Sequence, residues 1–479
     1  MAGGNWKDQN KKLPGTFINV RTAAQNPVMS DGDRGTVLTL LSGLNWGPEG
    51  IVEVNKGTDF ISALGHDLTD DALTGIRMIL ANANKVLIFN VNPGVKATGT
   101  AETIPWKFEA KFNGAVGNDV AVTVASDAND ATKAIITTTF KGALIDKQSA
   151  RKASEFNGNN FVVATVKLDI NDDGLEMISN LVTPVAIQMS GGAAETSESS
   201  LTLNEVSDTT ATVNIQEYST GDGADPVTEF QKAMDTYEFN VVVAANSSDK
   251  ASINRVIAAG VERLRDEQGR KVMAVVPASA GVEADYEGVI SLGNALVFND
   301  LKLTQAQSAG WVAGATAAAE SNQSLTYRQV NGATDVDVRF TEEQAISAIN
   351  DGQMLFTASR GAVKVLEDIN SLHTFTDDKG KAFSKNRVMR VVDDIANWVR
   401  INWEDNYIGK ITNNSQGRDL FKSAIATKLT DLQTAQAIQD FAVEDITIAQ
   451  GNDKDSVVVG LAVTPTDAME KLYMDVVAN

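Results

Sequence analysis

The chain has 479 residues, too many for one hydrophobic core, so roughly two to four domains are expected. Hydrophobic residues make up 43% and charged residues 22%, a globular balance that argues against wholesale disorder. A formal charge of −21 disfavours a nucleic-acid partner, which would need clustered Lys and Arg, and the absence of cysteine excludes disulfides, thiolate catalysis and thiolate metal sites.

No apolar run approaches the ~20 residues of a membrane span, and the first residues carry no apolar signal region. A protein made in the cytoplasm, with no membrane partner, is expected. After a polar leader, Leu13-Pro14-Gly15 opens a stretch through Thr16, Phe17, Ile18, Asn19, Val20 and on to Ala23, alternating apolar and polar residues at the period of a strand. Ala24-Gln25-Asn26-Pro27 and Asp31-Gly32-Asp33 follow as a linker.

Residues 34–95 read as α/β. Gly35 to Leu41 and Lys85 to Val91 are strands, and Thr69 caps a short helix carrying Leu73, Ile76 and Leu80 on one face. From 96 to 225 helical periodicity disappears. Short alternating runs (Trp106–Ala110, Val120–Val124, Ala134–Thr138, Phe161–Val166) stand between Thr-, Asn-, Asp- and Gly-rich turns, the signature of an antiparallel sandwich or barrel. This segment is expected to be an insertion on the outer surface.

The α/β pattern resumes over 226–340. Strands are expected at Asn240–Ala245, Lys271–Pro277 and Ala295–Asp300, with one helix carrying Ile253, Val256, Ile257, Val261 and Leu264 and another beginning at Thr304. Alternating strand and helix implies a mostly parallel sheet covered on both faces, which residues 34–95 complete.

Residues 341–464 form a further α+β domain. Thr341-Glu342-Glu343-Gln344 matches a capping box, and Met354–Thr357 and Val363–Ile369 form a hairpin about Arg360-Gly361. A helix from near Ser384 buries Val388, Val391, Val392, Ile395, Trp398 and Val399, and places Arg387, Arg390, Asp393, Asp394, Asn397 and Arg400 on its other faces. A second helix spans about 417–437 and carries Lys422 and Lys428. The hairpin Ile446–Ile448 / Val457–Val463 leads to residues 465–479, where Met469, Leu472, Met474 and Val476 sit among Glu470, Lys471 and Asp475 as a terminal strand. Both chain ends are thus strands with nothing nearby to pair with, and an unpaired strand is a template for another chain.

Catalytic chemistry is sparse. His66 and His373 are the two histidines, far apart and better read as surface or capping residues. No Walker A run, no Gly-x-Gly-x-x-Gly after a strand and no Gly-x-Ser-x-Gly elbow occurs, and no cofactor is expected. Asp169-Ile170-Asn171-Asp172-Asp173-Gly174 matches the first half of a calcium loop, but its twelfth position is Asn180 rather than Glu, so an acidic turn is the preferred reading.

Four stretches carry a family resemblance: Pro14-Gly15-Thr16-Phe17-Ile18-Asn19, Val365 to Leu372, Lys385 to Ile395, and Pro465 to Tyr473. In this order they resemble the contractile tail sheath proteins of bacteriophages and phage-tail-like bacteriocins. The resemblance implies a structural, non-enzymatic subunit of a virion tail or tail-like particle. Such subunits stack as hexameric rings around a tail tube, meet baseplate and tail terminator proteins, and contract to drive the tube through a cell envelope. It also implies that the two end strands, with Phe17, Ile18, Asn19 and Val20 in one and Met469, Leu472, Met474 and Val476 in the other, are arms donated to neighbouring subunits.

Helices of the inner domain would face the tube, making Arg387, Arg390, Arg400, Lys422 and Lys428 candidates for meeting an acidic tube. Ordinary intradomain pairing of these five stays open beside it. The competing functional readings are an α/β hydrolase with a β insertion and a surface adhesin.

Overall fold

In the computed structural model, residues 34–194, 226–246, 251–299 and 301–477 are described, together with two short strands, Ala2–Gly4 and Gly15–Phe17, that pair in parallel. The central sheet has seven strands: β1 Thr36–Ser42, β2 Gly50–Val54, β3 Lys85–Val91, β4 Val241–Val243, β5 Met273–Pro277, β6 Val289–Leu292 and β7 Gln353–Met354. Their order is β7-β6-β5-β4-β1-β3-β2. All neighbours run parallel except β2, which is antiparallel to β3.

The strands are apolar at consecutive positions because both faces are covered. Val37, Leu41, Val86, Ile88, Val241 and Val243 point to one core, with α1 Thr74–Leu80 and the Ala-rich helix Gln305–Ala318. Leu38, Leu40, Leu87, Phe89 and Val242 point to the other, against the helix Pro226–Thr236 and α2 Ala251–Asp266. The Ala-rich helix, α3, starts at Thr304 as the sequence predicts, and Thr304 forms a capping box with Gln307. It crosses α1 at close range: a Cβ at Gly314 would lie 2.2 Å from the Ile79 carbonyl oxygen.

Three expectations change. Val289–Leu292, not Ala295–Asp300, supplies the next parallel strand; Leu296–Phe298 instead pairs antiparallel with Leu301–Lys302 and Asp335–Val336. Thr69 is no cap: its hydroxyl donates to Asp67 at 2.6 Å, and a 3-10 turn over Asp71–Leu73 precedes α1. Finally, β7 and the hairpin Phe356–Ser359 / Ala362–Val365 belong to the sheet unit, since Met354, Phe356, Val363 and Val365 share the core of Val37 and Trp311. A boundary at 341 therefore cuts through one hydrophobic core.

Between β3 and Pro226 the chain builds a second unit of antiparallel strands. One sheet pairs Ala143–Ala150, Asp130–Phe140, Val120–Asp127 and Val185–Gln188 in that order; the other pairs Val162–Val166, Trp106–Ala110 and Thr98–Thr100. Entry and exit lie side by side, Gly94–Val95 pairing with Ala193–Ala194, as an insertion requires. Trp46, from the loop after β1, is buried in the core of this second unit, stacked on Phe161 at 5.7 Å, with its indole N–H donating to the Ser62 carbonyl at 3.1 Å. Asp173, in the acidic turn, accepts from the amide and hydroxyl of Ser154 and leads into a short helix. Among the described residues no group of three or more His, Cys, Asp or Glu side chains is placed to hold a metal.

The last unit is α4 Asn386–Asn406, α5 Ser415–Thr434 and the hairpin of β8 Ile446–Gln450 with β9 Val457–Leu461. Val391, Ile395, Phe421, Ile425, Leu429 and Ile446 form its core.

Candidate assembly surfaces

Helix α4 organises the candidate surfaces along its length, beginning where the C-terminal arm leaves the body. Lys385, its N-cap residue, reaches Glu367 at 2.6 Å and also Glu470 of the arm. Burial works against the Lys385 charge, but the hydrogen bonds to Glu367 and Glu470 outweigh it and hold its pKa above the ordinary lysine value. Glu470 also accepts from the Thr326 hydroxyl at 2.8 Å, and Arg387 donates to the Thr466 hydroxyl at 3.0 Å. A two-residue ladder between Ile438–Gln439 and Thr464–Pro465 completes the anchor.

Among the described residues no strand pairing is made beyond Glu470, and Leu472, Met474 and Val476 are 86%, 74% and 73% exposed. Met469 is fully exposed as well. At the other end, the backbone of Phe17 lies in the short parallel pair with Ala2–Gly4, while Ile18, Asn19 and Val20 lie outside the described residues.

The middle of α4 is tied to the sheet unit by buried charge. Asp393 receives two parallel bonds from the Arg265 guanidinium, at 2.7 and 2.8 Å, and Arg265 is 1% exposed. Burial disfavours the Arg265 cation, while the charge and hydrogen bonds of Asp393 drive its pKa above the ordinary arginine value. Asp394 faces Arg34 at 3.0 Å and Lys428 at 3.3 Å. Asn397 closes both backbone groups of Lys271, at 2.8 and 2.9 Å.

Arg390 pairs with Asp368 at 2.9 Å, both almost fully buried, and Asp368 further accepts from Asn386 and the Leu325 amide. These partners place α4 across the amino ends of β1, β3, β4 and β5, where a cavity of about 420 Å³ is lined by Arg34, Lys85, Asn240, Lys271 and Arg400. Open α/β sheets bind ligands at the carboxyl ends of their strands; here the cavity is at the opposite edge and is crossed by structural ion pairs.

The five predicted cations therefore separate. Arg390 is not on a free face of α4 but inside the joint with Asp368. Lys428 is mostly buried against Asp394, Arg387 holds the arm root, and Arg400 lies 3.2 Å from Glu404. Lys422 is half-buried on α5. The sequence reading missed Lys385, Arg265, Asp368 and Glu470 as members of these joints. The spacing of Arg390, Asp393, Asp394 and Asn397 was a signal for a second packed face, since residues three and four apart share one side of a helix. The histidines have local structural roles: His66 contacts the Leu44 carbonyl at 3.2 Å, and His373 the Ser371 carbonyl at 2.8 Å.

At the far end of α4, Trp403, Tyr407 and Phe421 form an aromatic cluster with centroids 4.6–5.5 Å apart. With Ile408, Ile411, Ile448 and Val457 they line an open pocket of about 480 Å³. Burial raises the Tyr407 phenol pKa.

An α/β body, a second unit of antiparallel strands and an arm whose described residues beyond Glu470 are exposed and make no strand pairing are features suited to an assembly subunit. Residues 220–371 match the phage tail sheath protein central domain, and residues 378–479 the phage tail sheath C-terminal domain. The chain belongs to the phage tail sheath protein family, a family of structural proteins rather than enzymes. The Phage-like element PBSX protein XkdK of Bacillus subtilis (strain 168) is 32% identical over 496 residues, covering 100% of each chain. The crystal structure of the sheath tail protein from Desulfitobacterium hafniense superposes with a TM-score of 0.72 at 31% identity, covering 96% of this chain and 99% of that one. The helical sheath of the anti-feeding prophage in its contracted state shares the fold, with a TM-score of 0.53 at 12% identity over 97% of this chain and 99% of that one.

Proposed function

We propose that this sheath subunit polymerises as hexameric rings stacked helically around a tail tube, between baseplate and tail terminator proteins. Shortening of that array drives the tube through a target envelope. The observation that carries the reading is the C-terminal arm: pinned at Glu470, without strand pairing beyond it among the described residues, and apolar on an exposed row. An extended segment of this kind adds to a neighbour through main-chain hydrogen bonds, and such bonds survive rotation of rigid bodies when the linkers bend. Contraction needs no nucleotide if the extended array is a kinetic trap. The particle is a virion tail or tail-like particle, built in the cytoplasm of the producing cell, with residues 96–225 on its outside.

Of the five cations, Lys422 is the one we retain as a tube contact, because Arg387, Arg390, Arg400 and Lys428 each hold a partner within the chain. Electron microscopy of the purified protein tests the reading: hollow tubes with a helical repeat are expected from the full chain and none from chains lacking 1–23 or 471–479. Normal tubes from either truncated chain would refute the arm model.

A further inference from the structure

Arg270 is a buried cation without a fitted counter-ion. It stands between α2 and β5, and its side chain is 8% exposed. Its terminal nitrogens donate to the carbonyls of Met234, Asp235 and Tyr237 at 2.6–2.9 Å, and the guanidinium lies 5.6 Å from the Phe239 ring centroid. All of these partners are neutral. Glu238 comes no nearer than 3.6 Å, on a side chain that is 75% exposed, and the Asp235 carboxylate is bonded to Arg263 at 2.6 Å. The Arg270 Nε–H is buried without an acceptor. Arg265 supplies the contrast, with its two short bonds to the mostly buried Asp393, the arrangement that buried charges ordinarily require.

Arg270 lines the cavity of about 420 Å³ at the amino edge of the sheet, and Arg400 of α4 lines it too. Burial lowers the Arg270 pKa, Glu238 opposes that, and the nearby Arg400 charge lowers it again. Arg400 meets the half-exposed Glu404 at 3.2 Å and Glu238 at 4.0 Å, and its own Nε–H is buried without an acceptor. The buried acids on the cavity wall are committed to other cations, Asp393 to Arg265 and Asp394 to Arg34 and Lys428. Thr316, on the same wall, has a buried hydroxyl with no partner. Two neighbouring guanidinium groups with unused donors, in a chain whose net charge is −21, form a site suited to an anion.

We propose that this cavity binds a phosphate-class oxyanion between Arg270 and Arg400. The planar guanidinium fork matches phosphate oxygens in pairs and keeps its charge out of water. A volume of about 420 Å³ lies in the roughly 300–1,000 Å³ range of sites for compact ligands, and it admits either free phosphate or a short polyphosphate. Glu238, on the rim, is the solvent-facing carboxylate that the oxyanion displaces. Arg270 belongs to the sheet unit and Arg400 to α4, so the bound anion fastens the helix to the amino edge of the sheet, beside the Arg265–Asp393 pair. This is a site of paired arginines, distinct in place and chemistry from the carboxyl-edge sites of open α/β sheets.

Calorimetric titration of the full chain tests the assignment, with sodium phosphate and separately with sodium tripolyphosphate, in chloride buffer of fixed ionic strength. Saturable binding is expected. Arg400→Gln should weaken it roughly tenfold or more, the effect of losing one charge-assisted hydrogen bond. Glu238→Gln removes the competing carboxylate and should tighten it about two- to fivefold; its position is exposed, so it serves as the test if Arg400→Gln fails to fold. Arg339→Gln, at the exposed pair with Asp335, should change nothing. With phosphate at ten times its dissociation constant, hydrogen exchange through opening of α4 should slow about elevenfold. Tighter binding of tripolyphosphate than of phosphate would assign a phosphate chain to the cavity, and equal affinity a single phosphate group. No saturable heat from either salt, an affinity unchanged in Arg400→Gln, or weaker binding in Glu238→Gln would overturn the proposal. None of these measurements needs tubes, so their outcome stands apart from that of the sheath reading.

Discussion

Replacing Asp393 with alanine should separate α4 from the sheet. Arg265 is 1% exposed and bonded to both Asp393 oxygens; without them the guanidinium stays protonated, as arginine does in proteins, and is left as a buried charge with its main counter-charge removed. Removing one partner of a buried pair costs about 3–5 kcal/mol. The Asp393 side chain is only 11% exposed, so solvent screening reduces this little. Hydrogen exchange across α4 and urea denaturation measure the effect. At 1.36 kcal/mol per decade, the α4 opening constant should rise by roughly two to nearly four powers of ten, and residues after 378 should unfold ahead of the sheet. The double variant Arg265→Met with Asp393→Leu removes the stranded charge and should be less damaging than Asp393→Ala alone. Arg339→Ala, at an exposed pair with Asp335, should leave exchange unchanged. A loss below about 1 kcal/mol in Asp393→Ala, or a double variant as damaged as the single, would refute the buried-charge account.

Trp46→Ala should cost about 3–5 kcal/mol and release the inserted β unit, because its ring packs on Phe161 and Phe112 inside that unit's core; calorimetry should then resolve an earlier, separate transition. Gly314→Ala should cost about 1–3 kcal/mol through overpacking, since the new methyl meets the Ile79 carbonyl at 2.2 Å, and an unchanged melting temperature would contradict the close α1–α3 crossing. The arm root should loosen only in strong alkali. The folded-state pKa of Lys385 is raised above the ordinary 10.5, so its contribution is complete below that value and lost as pH climbs through the higher folded pKa. A nitroxide on Asp467→Cys should report constant mobility from pH 7 to 9 and a rise only above 10.5, and a transition near neutrality would contradict the anchor.

Local signals in the sequence translated well into structure. Lys85–Val91 is a strand with the predicted bounds because five consecutive buried residues need two covering layers, a demand written in composition alone. The capping box expected at Thr341 formed because it depends on four neighbouring residues, and the helix expected to begin at Thr304 starts there. Pairing partners were less legible. Ala295–Asp300 and Val289–Leu292 are both short apolar runs, and periodicity marks a strand without naming its neighbour; only the second reaches the sheet. The charges of α4 were hidden for a related reason. Arg390 and Asp393 look like a solvent face until Asp368 and Arg265, 22 and 128 residues away in sequence, arrive opposite them. The alternation of Leu472, Met474 and Val476 is written in the sequence, but the anchor at Glu470 depends on Lys385, 85 residues away.

If the arm is donated to a neighbour as proposed, these joints give α4 a mechanical role. A pull on the arm arrives at Glu470 and passes to Lys385, at the first residue of the helix frame. An α-helix resists extension along its axis because every turn is bridged by hydrogen bonds, so the load moves along α4 to Asp393, Asp394 and Asn397. From there it enters the sheet unit through Arg265, Arg34 and the backbone of Lys271, spread over the starts of several strands. Side-on charge pairs with fixed bidentate geometry hold direction as well as distance, whereas apolar packing alone would let the helix slide. That difference accounts for the placement of buried charge here: apolar residues fill the two faces of the sheet, and ionic groups sit where one rigid body is fastened to another. An α/β body fastened across its amino edge in this way keeps its shape under the arm rotation proposed above.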